Sequence, residues 1–173
     1  IAEHGVTHMC GAPTVLSMLT NAPAEQRRRF AQPVDIQTGG SPPPAKVIKA
    51  MEELGFRVLH IYGMTELQGP STLCEPQESW AGASVEERAQ QMARQGVRYP
   101  VVDGHIVANP VTCQPVAQDG KSVGEILVKG NTVMLGYLKD PQATAAAFAG
   151  GWMHTGDLAV WYPNHYVEIK DRK

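Results

Sequence analysis

Thr65 and Glu66 close the pentapeptide Tyr62-Gly63-Met64-Thr65-Glu66, which puts an aromatic ring, a glycine, a hydroxyl and a carboxylate within five residues. Those types suit a phosphorylated ligand. The ring can stack on a base, the hydroxyl can donate to a phosphate oxygen, and the carboxylate can hold a hard cation such as Mg²⁺. The same five residues also fit a capped turn with a solvated glutamate. A second patch, Thr38-Gly39-Gly40-Ser41-Pro42-Pro43, combines two glycines that admit close approach to the backbone with prolines that stiffen the loop; alone it reads equally as a turn. In a third, Gly124-Glu125-Ile126-Leu127-Val128-Lys129-Gly130 continuing to Gly136-Tyr137-Leu138, a strand between glycine turns is the better reading. In the fourth, Thr155-Gly156-Asp157-Leu158, the carboxylate can accept both hydroxyls of a ribose or simply cap a turn.

Each patch follows or opens a predicted strand, where α/β proteins carry ligand-binding loops. Val6 to Met9, Val34 to Gln37 and Val58 to Tyr62 read as strands, and helices are expected from Pro13 and over Pro44 to Leu54. In the second helix Val47, Ile48, Met51 and Leu54 recur at helical spacing, and Gly55 supplies a C′ residue. Strand–helix–strand order implies parallel pairing. Ser84-Val85-Glu86-Glu87 reads as an N-cap and first helical turn. Beyond it the period changes. Val101 to Val102, Ile106 to Val107, Glu125 to Val128, Leu158 to Trp161 and Tyr166 to Ile169 are short strands separated by Gly104, Gly120, Gly124, Gly130 and Pro163-Asn164. One helix interrupts them, with Asp140 as cap and Pro141 at N1. The expected fold class is therefore α/β: a partial parallel α/β layer over residues 1–98, then a small β-rich, barrel-like unit over 99–173.

Other chemistries have less support. No GxxxxGK[ST] occurs, so a nucleotide is not held in the P-loop manner, and GxSxG and HExxH are also missing. His4 and His8 are four apart but lack further ligands for a metal. A net charge of −2 gives no general pull toward nucleic acid or an anionic membrane surface. No apolar run approaches the ~20 residues that cross a bilayer. The three cysteines, Cys10, Cys74 and Cys113, form no disulfide framework, so a reducing, cytoplasmic setting is expected. The first residues, IAEHGVTHMCGAP, are not a signal peptide and read as the interior of a longer chain, with parent sequence expected on both sides.

Taken in order, Gly39-Gly40-Ser41-Pro42, Tyr62 to Glu66, the strand from Gly124, Thr155 to Leu158 and the closing Ile169-Lys170-Asp171-Arg172 resemble the adenylate-forming (AMP-binding) superfamily across essentially the whole chain. Val6 to Leu16, Ala93 to Val97 and Phe148 to His154 resemble its branch of plant acyl-activating enzymes and bacterial short- or medium-chain CoA ligases. The resemblance implies a fragment of that family's large N-terminal domain, ending at the interdomain hinge. It implies two steps: a carboxylic acid and ATP give acyl-AMP and pyrophosphate, then the thiol of CoA displaces AMP. Cofactor contacts would be Gly40, Ser41, Pro42 and Pro43 along adenine, Tyr62 packed on it with Gly63 and Met64, Thr65 at the α-phosphate, Asp157 and Arg172 on the ribose, and Ile169 near the base. Glu66 would hold Mg²⁺ and, with Thr65, form the catalytic pair; Gly39, Gly40 and Gly63 would border the acyl substrate. The family's phosphate loop and its lid with a catalytic lysine would lie outside residues 1–173, so the fragment alone is expected to be inactive. Met153 stands where the family often has an aromatic, and Asn164-His165 where Asp-Gly often turns. Two readings compete: adenylation that loads a carrier-protein thiol, and a non-catalytic nucleotide-binding module.

Overall fold

The computed structural model describes residues 1–172. In chain order the main elements are β1 (His8–Cys10), α1 (Pro13–Thr20), β2 (Val34–Thr38), α2 (Ala45–Glu53), β3 (Phe56–Met64), β4 (Gly69–Leu73), α3 (Val85–Met92), β5 (Val97–Arg98), β6 (Gly104–Ala108), β7 (Val123–Lys129), α4 (Pro141–Ala147), β8 (Met153–Trp161) and β9 (Val167–Arg172). They fall into two compact units, one of residues 1–62 and 74–94, the other of 63–73 and 95 onward.

In the first unit, β1 and β3 both pair parallel with β2. Val34 and Ile36 are buried where Asp35 and Gln37 are not, the period-two pattern of a strand with one covered face. α1 begins with Pro13 at N1, where a missing N–H costs nothing. In α2, Val47, Ile48 and Met51 form the buried stripe, and Gly55 at φ +92 ends it. Phe30 meets Phe56 edge-to-face at 4.9 Å in the same core. α3 starts with a full capping box: Ser84 Oγ accepts the Glu87 N–H and Glu87 accepts the Ser84 N–H. Lys49 pairs with Glu86, and Arg88 with Glu52 at 3.6 Å, tying α3 to α2.

The second unit is antiparallel. β6, β7, β8 and β9 form a four-stranded sheet in that order, and β4 pairs with β5. Ile126, Leu127, Val128, Ala159, Val160, Tyr166 and Val167 fill its core. A register shift between Leu158 and Ala159 leaves Lys170 unopposed and brings Asp157 opposite Arg172. α4 is capped as its sequence indicates, Asp140 Oδ1 accepting the Ala143 N–H at 2.8 Å.

Three expectations fail locally. Val101 and Val102 form a turn, with the Val102 N–H on the Tyr99 carbonyl at 3.0 Å. β5 lies just before them, where no strand was expected. β4 is built from Gly69-Pro70-Ser71-Thr72-Leu73, a turn-like start whose last two residues pair with Arg98 and Val97 of β5. The first strand is also displaced, His8–Cys10 rather than Val6 to Met9.

Candidate nucleotide site

The Gly39–Pro43 loop follows β2. A Cβ on Gly39 would sit 2.9 Å from the Ile61 carbonyl oxygen, so only glycine lets the loop lie against β3. Gly40 adopts φ +91 with no atom within 4 Å of a notional Cβ, a bend that favours glycine for conformation alone. Gly40, Ser41 and Pro42 are exposed, while Pro43 is buried and precedes α2. At the loop's base, the Thr38 hydroxyl is buried without a hydrogen-bond partner. Tyr62, half-buried, ends the first stretch of the first unit, residues 1–62.

The remaining expected site residues belong to the second unit. A Cβ on Gly63 would fall 2.0 Å from the Gly69 carbonyl oxygen, so glycine is what allows the end of β3 to meet the start of β4. Met64 ends β3, and Thr65, Glu66 and Leu67 form a 3₁₀ turn sealed by the Gln68 N–H on the Thr65 carbonyl at 3.2 Å. Leu67 is buried and anchors that turn, Thr65 is exposed and Glu66 half-buried. The Glu66 carboxylate accepts the Tyr137 hydroxyl at 3.1 Å, and its carbonyl accepts the Met134 N–H at 2.8 Å.

Asp157 is buried in β8, and Arg172 Nε lies 3.6 Å from its Oδ1. The bulged stretch before it, within β8, is held by four contacts. Thr155 donates to the Ile126 carbonyl at 2.9 Å and accepts the Asp157 N–H at 3.1 Å. Glu125, 2% exposed, accepts the Gly156 N–H at 2.9 Å through one oxygen and meets His154 Nδ1 at 3.1 Å through the other. Gln95 secures β9: its side-chain oxygen accepts the Ile169 N–H at 2.6 Å, its N–H donates to Val167, and its carbonyl takes the Thr72 hydroxyl at 2.6 Å. Ile169 is half-buried and Arg172 exposed.

Within the second unit, then, Glu66 is brought to Tyr137 and Asp157 to Arg172. Sequence reasoning gave Glu125 and Tyr137 no site role. Glu125 did carry a signal, a lone carboxylate directly before the apolar run Ile126-Leu127-Val128; Tyr137 carried none, because its partner is 71 positions away.

The residues fit the groups the resemblance implies. Among the described residues, no cluster of three His, Cys, Asp or Glu side chains could cage a metal. That suits Mg²⁺, which is bound by one or two carboxylates plus substrate phosphates rather than by an all-protein cage. For ATP, the buried Asp157 carboxylate of the second unit is of the type that could accept a diol's hydrogen bonds. Burial pushes the Cys74 thiol up to about 12 and removes it as a nucleophile.

The described residues thus form a parallel α/β unit and an antiparallel unit, with glycine-shaped loops and a carboxylate buried within β8. The chain belongs to the AMP-binding enzyme family, whose model matches residues 1–138. It is 47% identical over 173 residues to an acetate–CoA ligase of Humulus lupulus, covering 99% of this chain and 30% of that protein. It is 44% identical over 172 residues to a peroxisomal benzoate–CoA ligase of Arabidopsis thaliana, covering 99% and 30%. It also superposes with a TM-score of 0.76 and 26% identity on O-succinylbenzoate coenzyme A synthetase of Bacillus subtilis in complex with ATP and magnesium ion, over 98% of this chain and 32% of that one. The chain thus spans about 30% of the length of the curated relatives it matches. No helix among the described residues is long and apolar enough to cross a membrane.

Proposed function

We propose that this chain supplies the nucleotide-binding part of an acid–thiol ligase that converts a carboxylic acid to acyl-AMP and then to its CoA thioester. The observation that carries the reading is the arrangement in the second unit: Glu66 is held at one strand end by Tyr137, and Asp157 is buried and preset opposite Arg172. Family membership and two relatives named as CoA ligases point the same way. Because the chain spans about 30% of those relatives, the reaction is proposed for the complete polypeptide that carries it.

In that reading Gly40, Ser41, Pro42 and Pro43 lie along the adenine, Tyr62 packs on it, and Gly63 and Met64 are further cofactor contacts. Asp157 accepts hydrogen bonds from the ribose diol with Arg172 beside it on the ribose, and Ile169 packs near the base. Thr65 donates to the α-phosphate as the acid's carboxylate attacks phosphorus and pyrophosphate leaves. Glu66 holds Mg²⁺, which supplies charge neutralisation on the phosphates. Gly39, Gly40 and Gly63 leave room for the acyl group. Each contact acts by positioning and by placing charge where it develops in the transition state. CoA, in the second step, attacks the acyl carbon through its thiol and expels AMP.

The acceptor is assigned to CoA rather than a carrier-protein thiol because both named relatives are CoA ligases. A cytoplasmic setting is kept within the proposal, since Cys10, Cys74 and Cys113 are all free thiols; one relative is named peroxisomal, so that compartment is its rival. The test supplies the complete polypeptide with ATP, Mg²⁺ and a panel of short, medium and aromatic acids, offering CoA or a pantetheinylated carrier protein. Acyl-CoA is expected. Acyl transfer only to the carrier protein would replace CoA as acceptor, and nucleotide binding without product from any acid would favour a non-catalytic module.

A further inference from the structure

Tyr137 sits at the end of the loop that follows β7, and that loop is tied to Glu66 twice. The Met134 N–H donates to the Glu66 carbonyl at 2.8 Å, and the Tyr137 hydroxyl donates to Glu66 Oε1 at 3.1 Å. Tyr137 is itself fixed from behind. Its N–H donates to Thr144 Oγ1 at 2.9 Å, and the Thr144 hydroxyl donates to the Asp140 carbonyl at 2.8 Å, the residue that caps α4. Gly136 makes this possible: at φ +151 a Cβ there would lie 2.7 Å from Thr144 Cγ2, so a side chain would push the loop off α4. A continuous path therefore runs from the first turn of α4 through Thr144 and Tyr137 to one oxygen of Glu66, and Oε2 has no part in it.

We propose that Tyr137 is a positioning residue for Glu66: its hydroxyl holds Oε1 and so presents Oε2 to the divalent cation that accompanies a nucleoside triphosphate. This rests on the reading of Glu66 as the cation's ligand. A carboxylate with three rotatable bonds loses orientational freedom on binding a metal, and a hydrogen bond that has already fixed it removes part of that cost.

The test uses the complete polypeptide and Mn²⁺ as the probe, titrated in the presence of a non-hydrolysable ATP analogue and followed by electron paramagnetic resonance. Tyr137→Phe, which keeps the ring and removes only the hydroxyl, is expected to weaken Mn²⁺ binding roughly three- to tenfold, the worth of one hydrogen bond. Affinity for the metal-free nucleotide should be unchanged. Thr144→Ala, which releases Tyr137 from α4, should weaken Mn²⁺ in the same direction by a smaller factor, and it tests the path even if the phenylalanine variant folds poorly. Glu66→Gln separates the two levels. If it weakens Mn²⁺ binding while Tyr137→Phe and Thr144→Ala overlay the wild type, the positioning role is wrong and the Glu66 reading stands. If Glu66→Gln leaves the titration unchanged as well, the metal role of Glu66 is wrong and the positioning role falls with it.

Discussion

In the first unit the expected ligand loop, Gly39–Pro43, takes its shape from backbone: a glycine pressed against Ile61, a second at φ +91, and a buried Pro43 leading into α2. In the second unit the expected ligand groups are held by other side chains. Glu66 is held by Tyr137, Asp157 lies beside Arg172, and the bulge before Asp157 in β8 is pinned by Thr155 and Glu125. The two strategies suit different tasks. A loop that lines a flat base needs closeness and few protruding atoms. A carboxylate that meets a diol or a cation needs its oxygens aimed before the ligand arrives. The first fails when a methyl group is added, the second when a hydrogen bond is removed.

Acid should separate the units most strongly. His105 in β6 is buried with Nε2 unpartnered, and burial, with Arg98 adding to it, lowers its pKa to about 4. His60 in β3 is also lowered by burial, but its Nδ1 contacts the Arg94 carbonyl at 2.7 Å. A histidine depressed in the folded state stabilises it fully above the unfolded pKa of 6.5, and that contribution disappears as pH falls toward 4. For His105 it amounts to about 3 kcal/mol. Denaturation followed by probes in each unit should show the second losing stability faster between pH 6.5 and 4, and His105→Gln should flatten its profile. Equal acid sensitivity in both units would break the comparison.

Next in size is Thr155→Val. It strips a buried hydroxyl that serves the Ile126 carbonyl and the Asp157 N–H, and should cost ~1–3 kcal/mol in the melting transition. It should also weaken nucleotide binding, whereas a purely structural role would lower stability alone. Gly39→Ala is the counterpart in the first unit. Its methyl meets the Ile61 carbonyl oxygen at 2.9 Å, and a cost of ~1–2 kcal/mol with a displaced loop is expected in denaturant titration. The smallest effect is at His165, which holds φ +66 in the turn before β9. His165→Gly relieves that strain by ~1 kcal/mol, partly offset by losing the edge contact with Trp161 at 6.2 Å, so a small gain in melting temperature is expected.

Much of this could be read from sequence where local rules act alone. Pro13, the Val47-Ile48-Met51 stripe, the Ser84 capping box and the Asp140-Pro141 start each announced a helix that the structure contains. β4 could not be read, because Gly69, Pro70 and Ser71 favour a turn and the partners of Thr72 and Leu73, Arg98 and Val97, are brought there by folding. Val101-Val102 has strand composition but lies in a turn. Among the proposed site residues, Glu66 and Asp157 stand out in the sequence because each sits in a short run of residue types suited to phosphate or ribose chemistry. Their supports do not. Tyr137 reaches Glu66, and Gln95 reaches Ile169 74 positions away, through folding alone.

The central claim is that Asp157 grips the ribose of ATP while the acid is adenylated, and it is tested most directly by acid-dependent ATP–pyrophosphate exchange in the complete polypeptide, wild type against Asp157→Ala. Loss of hydrogen bonds to a charged group, about 1.5–3 kcal/mol, predicts a KM for ATP raised roughly ten- to a hundredfold, with KM for the acid little changed. An unchanged KM for ATP in Asp157→Ala, measured on enzyme that melts like the wild type, would contradict the account.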